Sequence, residues 1–246
     1  MRALSCDVGS RRELNAVNAY SEKIEFLDDI PREAALGGIE VNTETRSPLL
    51  CPEIRIRVLK PDGPMAAAWG SSLFCYGGPR PYWAYCWASG QALARYLLDS
   101  PGIARGRRVI DLGTGCGIVA IAAALAGAAE VLAVDRDPLA RLAAELNASF
   151  NGVNLTVAQL EAGDVKAWQP DLVVAADICY APEGAQLLVD IHEAGLRVLA
   201  ADPGRPDLPR NRLEPLAEYV VRTFPEIEAP ELVSAFVYRF SAGGKI

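Results

Sequence analysis

The sequence predicts an α/β fold: a mostly parallel, doubly wound sheet with an antiparallel pair at its C-terminal end. Three observations carry that expectation. From Gly106 onward, short apolar runs of strand length alternate with helical stretches, the order that sets parallel strands in one sheet with helices on both faces. Gly113, Gly115 and Gly117 fall where the first of these strands hands over to a helix. Glycine there permits a tight turn and lets a ligand approach the backbone. Two strand-like runs, 219–224 and 232–240, then close the chain across a short Pro-containing link, as an antiparallel hairpin does.

Three zones follow one another. Residues 1–41 form a mixed, polar N-terminal extension. Within it 13–29 carries Leu14, Val17, Ile24 and Leu27 at amphipathic-helix spacing until Pro31 and Gly37-Gly38 break the pattern, so the extension is expected to be helical. Residues 42–105 are punctuated by prolines and are expected to cover the active site. There Ile54, Ile56 and Val58 alternate with Arg55 and Arg57, the signature of a half-buried strand, and 91–99 reads as a helix ending before Pro101. The core spans 106–246. Its expected strands are 108–111, 130–135, 155–160, 171–176 and 197–201. Its helices are 118–126, 138–150 with Pro138 in the first turn, 183–193, and 208–217 ahead of the terminal pair.

A chain of 246 residues with 51% hydrophobic content buries a full core. Its net charge of -7, without any Lys/Arg run, argues against a nucleic-acid partner. Six cysteines without a C-x-x-C pair, and His192 as the one histidine, argue against a metal site. Unpaired cysteines suit a reducing compartment, so the cytoplasm is expected; the N-terminal arginines leave a mitochondrial presequence open, though the acidic run after Tyr20 speaks against a long one. No apolar run reaches the roughly 18 residues that span a bilayer, and residues 1–14 lack the apolar core of a signal peptide. No membrane association is expected.

The chemistry-bearing residues sit at strand ends. Asp111 closes the first core strand just before the glycines, as a carboxylate able to meet the cationic end of a small ligand. Asp135 ends the next strand roughly 20 residues on, where an acid that binds ribose hydroxyls stands. Each acid alone reads equally well as a helix cap. The glycines follow G-x-G-x-G rather than the wider spacing of nicotinamide binders. Together, Val109-Ile110-Asp111-Leu112-Gly113-Thr114-Gly115-Cys116-Gly117 and Leu132-Ala133-Val134-Asp135-Arg136-Asp137-Pro138 resemble motifs I and II of class I methyltransferases, the seven-stranded, Rossmann-like fold. That resemblance implies S-adenosyl-L-methionine as cofactor. It puts Asp111, Gly113, Thr114, Gly115 and Gly117 at the methionine moiety and Asp135 on the ribose hydroxyls, with Arg136 beside it. It also implies Asp164 at the adenine amino group, although beside Gly163 that acid reads equally as part of a solvated loop.

Two further stretches narrow the resemblance. The segment Pro81-Tyr82-Trp83-Ala84-Tyr85-Cys86-Trp87-Ala88-Ser89-Gly90-Gln91, the segment Ala201-Asp202-Pro203-Gly204-Arg205-Pro206 and the upstream Cys51-Pro52-Glu53-Ile54-Arg55 resemble the electron-transfer-flavoprotein β-subunit lysine methyltransferases over about 42–240. By that resemblance Trp87 and Gly90 face the cofactor. Asp177-Ile178-Cys179-Tyr180 is similar to the family's acid-x-x-aromatic motif, with Asp177 and Tyr180 as catalytic residues. Amine methylation needs a neutral, desolvated nucleophile held in line; a carboxylate orients the amine N–H groups, and an aromatic face accommodates the cationic product. The alternative is that Asp177 caps the next helix and Tyr180 packs in the core. Trp83 and Tyr85 read either as an aromatic wall or as packing. The implied partner is a protein lysine, with the flavoprotein β-subunit as substrate. Ala88-Ser89 stands where the family commonly has Pro-Gly, and Ala201 replaces its first glycine. Those departures keep a small-molecule N-methyltransferase open. A ribosomal-protein methyltransferase shares motifs I and II, and a non-enzymatic binding module is the remaining reading.

Overall fold

Alternation along the central strands sorts their apolar side chains onto two faces. The computed structural model describes residues 43–63, 81–160, 162–224 and 232–241, so the predicted N-terminal helix lies outside the described residues. Strands β3 (Arg108–Leu112), β4 (Glu130–Val134), β5 (Thr156–Ala158), β6 (Leu172–Ala176) and β7 (Val198–Asp202) run parallel in one sheet. Along β3, Val109 joins one core cluster while Ile110 and Leu112 join the other; along β6, Leu172 and Val174 face away from Val173 and Ala175. That period of two demands a cover on both faces.

The cover is helical. Helices α1 (Ala88–Asp99), α2 (Ile118–Leu125) and α3 (Pro138–Phe150) bury Leu93, Leu97, Ile121 and Ala148 against one face, and α4 (Ala162–Ala167) and α5 (Pro182–Glu193) bury Val165, Leu188 and Ile191 against the other. Each large aliphatic side chain so buried contributes about 1.5–3 kcal/mol. Asp137 caps α3, accepting from Leu139 N at 2.8 Å, ahead of Pro138 at its first position.

Strands β8 (Leu213–Val221) and β9 (Val233–Phe240) complete the sheet as an antiparallel pair, giving the order β5-β4-β3-β6-β7-β9-β8. The helix expected over 208–217 is absent. A single 3₁₀ turn, Arg210–Arg212, leads straight into β8, which is longer than the run expected at 219–224. Pro215 is tolerated because β8 is an edge strand and its register shifts between Pro215 and Ala217.

The 42–105 zone adds a two-stranded antiparallel sheet of β1 (Thr43–Arg46) and β2 (Ile56–Leu59). The alternation expected there is not half-buried: Ile54 precedes the strand, and all four residues of β2 are buried, Arg57 included. The reason is docking onto α3. Asn147 Oδ1 accepts from Arg57 N at 2.7 Å, Asn151 Oδ1 accepts from Arg55 N at 2.8 Å, and Asn147 Nδ2 donates to the Cys116 carbonyl at 2.8 Å.

Candidate functional site

In an open α/β sheet the ligand crevice lies beyond the carboxyl ends of the strands, where the strand order reverses. Here the reversal falls between β3 and β6, whose C-terminal ends carry the glycine turn and Asp177. The turn from β3 to α2 is left-handed at Gly113 (φ 69°), Gly115 (φ 53°) and Gly117 (φ 82°). At Gly117 a Cβ would lie 2.9 Å from Ala144 Cα, so α2 and α3 come together only over glycine.

Asp111 is fully buried inside this turn. Its Oδ2 accepts from Thr114 Oγ1 at 2.7 Å and from Ala120 N, in the first turn of α2, at 3.1 Å. It thereby serves α2 as a cap, a helix whose own N-cap Gly117 has no side chain to offer. Burial pushes its carboxyl up to about 7, against the opposing pull of Thr114 and Ala120.

Asp135 is half-buried just past β4. Its Oδ2 accepts from Gly115 N at 3.0 Å and its Oδ1 from Asp137 N at 3.0 Å. An ionised carboxylate offers about four acceptor positions, so each oxygen keeps room for one more donor, which is what a vicinal diol requires. The expected ribose-binding acid therefore fits the group it would hold. Arg136 follows it and donates from Nη2 to the Tyr180 hydroxyl at 3.2 Å. This contact joins the end of β4 to the loop after β6, across the glycine turn.

That loop opens on Asp177, whose backbone is left-handed (φ 58°). Its Oδ1 accepts from Ser89 Oγ at 3.0 Å and from Arg205 Nη1 at 2.8 Å, and its Oδ2 accepts from Ser89 N at 3.2 Å. Asp177 does not cap the helix that follows it, since α5 has Ala181 as its N-cap and no side-chain cap bond; it caps α1, upstream in the chain, whose N-cap Trp87 supplies no side-chain bond. Burial raises the Asp177 carboxyl, while Arg205 and Ser89 pull it down. Ile178 presses on Gly113, where a Cβ would stand 2.8 Å from its Cγ2, and the Ile178 carbonyl oxygen closes on Gly184 in α5, leaving no room there for a Cβ. The acid-x-x-aromatic loop and the glycine turn are thus packed against each other. Tyr180 is exposed, 61% accessible, and does not pack in the core.

The remaining expected residues divide. Trp87 is partly buried, lies with its ring centroid 5.4 Å from that of Tyr85 and tilted by 35° to it, and donates from Nε1 to the Tyr82 carbonyl at 3.0 Å. Trp83 and Tyr85 are core side chains. Gly90 lies in α1 against Ile118 of α2, with 3.4 Å from a Cβ to Ile118 Cγ2. Asp164 is exposed in the first turn of α4. Sequence reasoning gave no role to Ser89, Gly184 or the Asp202–Arg205 pair. Arg205 Nη1 also reaches Asp202 Oδ2 at 2.8 Å, and Asp202 Oδ1 accepts from Gly204 N and Arg205 N at 2.7 and 2.6 Å. The Asp-Pro-Gly-Arg run had marked this turn without indicating what it does.

Known proteins align with this arrangement. The chain is 38% identical over 213 residues to the electron transfer flavoprotein beta subunit lysine methyltransferase of Mus musculus, covering 82% of each chain. To the Xenopus laevis protein of the same name it is 40% identical over 213 residues, covering 81% of this chain and 84% of that one. The chain belongs to this family. It is therefore a methyltransferase with the class I fold, as the sequence resemblance implied. The ribosomal protein L11 methyltransferase (PrmA) family matches residues 91–184, the stretch from α1 to the start of α5. The ribosomal protein L11 methyltransferase of Symbiobacterium thermophilum is 48% identical over 86 residues, covering 35% of this chain and 26% of that one. The PrmA match includes neither the β1–β2 sheet nor the Asp202–Arg205 turn, whereas the flavoprotein-subunit relatives align over most of the chain.

Proposed function

We propose that this enzyme transfers a methyl group from S-adenosyl-L-methionine to a lysine side chain of a partner protein, an electron transfer flavoprotein β-subunit or a close counterpart. The observation that carries the reading is the convergence of Asp111, Asp135 and Asp177 at one sheet edge, in a chain whose relatives of that activity align over four-fifths of its length. When bound, the cofactor supplies an already activated sulfonium methyl. Gly113, Thr114, Gly115 and Gly117 with Asp111 would hold its methionine end, and Asp135 with Arg136 its ribose. Asp164 would lie at the adenine side, and Trp87 and Gly90 along the opposite wall.

Asp177 has three donors on its carboxylate and so about one acceptor position left. That position takes an N–H of the acceptor amine and aims its lone pair. Tyr180, exposed at the rim, offers its ring face to the cationic product. Catalysis is mainly positioning and exclusion of water. No helix among the described residues is long and apolar enough to cross a membrane. The free, buried Cys51, Cys86, Cys116 and Cys179 suit a reducing compartment, which supports the cytoplasm.

The test is direct. The purified enzyme is incubated with methyl-labelled cofactor and, separately, recombinant flavoprotein β-subunit, ribosomal protein L11, and the small-molecule fraction of a lysate. Label on a β-subunit lysine, located by mass spectrometry, is the expected result. Label confined to the small-molecule fraction or to L11 replaces the proposed acceptor by that one.

A further inference from the structure

Arg205 occupies a position that the relatives' names do not explain. One nitrogen of its guanidinium, Nη1, lies 2.8 Å from Asp177 Oδ1 and 2.8 Å from Asp202 Oδ2. Asp202 is almost wholly buried, with 1% of its side chain accessible, and Asp177 is close to it at 13%. Two carboxylates drawn this near repel each other and disfavour ionisation. A guanidinium between them relieves both and stays charged at any working pH. Its own position is fixed by the chain: Asp202 Oδ1 ties down Gly204 N and Arg205 N, folding the turn so that the side chain returns over β7 toward β6.

The charge count then matters. When both carboxylates are ionised, Asp177, Asp202 and Arg205 together carry one net negative charge. Among the described residues, the thiols of Cys86, from the segment before α1, and Cys179, from its own loop, also interact with Asp177. Burial pushes Cys179 up to about 12 and raises Cys86 well above its usual range, so both are neutral. Ser89 contributes hydrogen bonds but no charge. The cluster is then one positive charge short of balance, and of its two carboxylates Asp177 is the more accessible, at 13% against 1% for Asp202.

We propose that Arg205 is a positioning residue: by bridging Asp202 and Asp177 it holds Asp177 ionised and aimed, so that the acceptor site draws in a side chain arriving as a cation, the ammonium of a lysine, over neutral hydroxyl or amide groups. The ammonium gives up one proton to bulk water before transfer, and the neutral amine, held by Asp177, is the nucleophile. Asp202 anchors the bridge and touches neither substrate nor cofactor. The proposal rests on the reading of Asp177 as the acceptor-site acid.

Two measurements test it, one of them independent of turnover. In the purified full-length protein, the Asp177 carboxyl is titrated by carbon-13 NMR, assigned through Asp177→Asn. Replacing Arg205 by Gln raises the Asp177 midpoint by about one unit or more, the scale on which a neighbouring arginine acts, and Arg205→Lys restores part of the shift. With the protein substrate, Arg205→Gln lowers kcat/KM by roughly ten- to a hundredfold, as loss of one charge-assisted hydrogen bond does, and moves the acid limb of the pH profile upward. The cofactor dissociation constant by calorimetry stays within about twofold, since no contact in the β3–α2 turn is touched. Should Arg205→Gln fail to fold because Asp202 is left without its partner, the double variant Arg205→Gln/Asp202→Asn is compared with Asp202→Asn alone, so that both readouts isolate the loss of Arg205. An unchanged Asp177 midpoint in a folded variant overturns the proposal, and so does a parallel fall in cofactor affinity. If wild-type enzyme labels no protein lysine, the acceptor assignment fails instead, and the NMR titration still decides the role of Arg205.

Discussion

Asp135 and Asp177 are each held by backbone and side-chain donors, yet each keeps acceptor capacity toward the crevice. For Asp135 that capacity is assigned to the ribose diol. Asp135→Ala is accordingly expected to weaken cofactor binding by roughly 2–3 kcal/mol, the magnitude of hydrogen bonds to a charged group, with the fold intact. Calorimetry giving wild-type affinity for the folded variant removes the ribose assignment. Asp177→Asn separates differently. It cuts turnover while cofactor affinity stays near wild type, because Asp177 contacts Ser89 and Arg205 rather than the glycine turn. A joint fall would move Asp177 into the cofactor's surroundings. These acids were legible in the sequence because each ends a strand in an alternating pattern. Ser89 and Arg205 were not, because a partner 88 or 28 residues away leaves no local trace.

Elements were legible where their pattern is buried on two sides, and misread where it is not. Strands β3, β4, β6 and β7 are continuous apolar runs between helices, and each falls within a residue or so of its expected bounds. The edge strand β8 shows one partly covered face, so Leu213, Leu216 and Tyr219 are only half-buried, and their spacing imitates a helix turn by turn. The close joining of α2 and α3 was visible only as a glycine. Gly117→Ala forces a left-handed alanine and a Cβ into Ala144, and is expected to lower stability by at least about 1–2 kcal/mol. Asn147→Ala orphans the buried Arg57 N–H and Cys116 carbonyl that dock β2 onto α3, at roughly 1–3 kcal/mol for each group. Urea midpoints with unchanged m-values check both; a midpoint equal to wild type for Asn147→Ala would mean the β1–β2 sheet is held by its apolar contacts alone.

At the scale of the whole molecule, burying acids at the carboxyl ends of the strands couples stability to pH. Burial raises both Asp111, to about 7, and Asp177 above the usual aspartate range. Between the unfolded value near 4 and the folded value, the native state therefore holds protons that the unfolded chain has released. With more protons on the native side, stability falls as pH rises. The contribution of Asp111 is thus fully favourable below about pH 4 and is lost progressively until about pH 7, above which both states are ionised and the penalty is constant. Other carboxylates act in the opposite sense, Glu53 among them, lowered by its bond to Arg95, so the wild-type profile alone does not isolate the effect. The difference between wild type and Asp111→Asn does, since asparagine does not titrate. Chemical denaturation at pH 5 and pH 7.5, without cofactor, is expected to show wild type losing ground to the variant across that interval, by at most roughly 1.4 kcal/mol per unit of pKa difference crossed. A difference that stays flat with pH would mean that Asp111 is ionised in the fold throughout, held there by Thr114 and the first turn of α2 despite its burial.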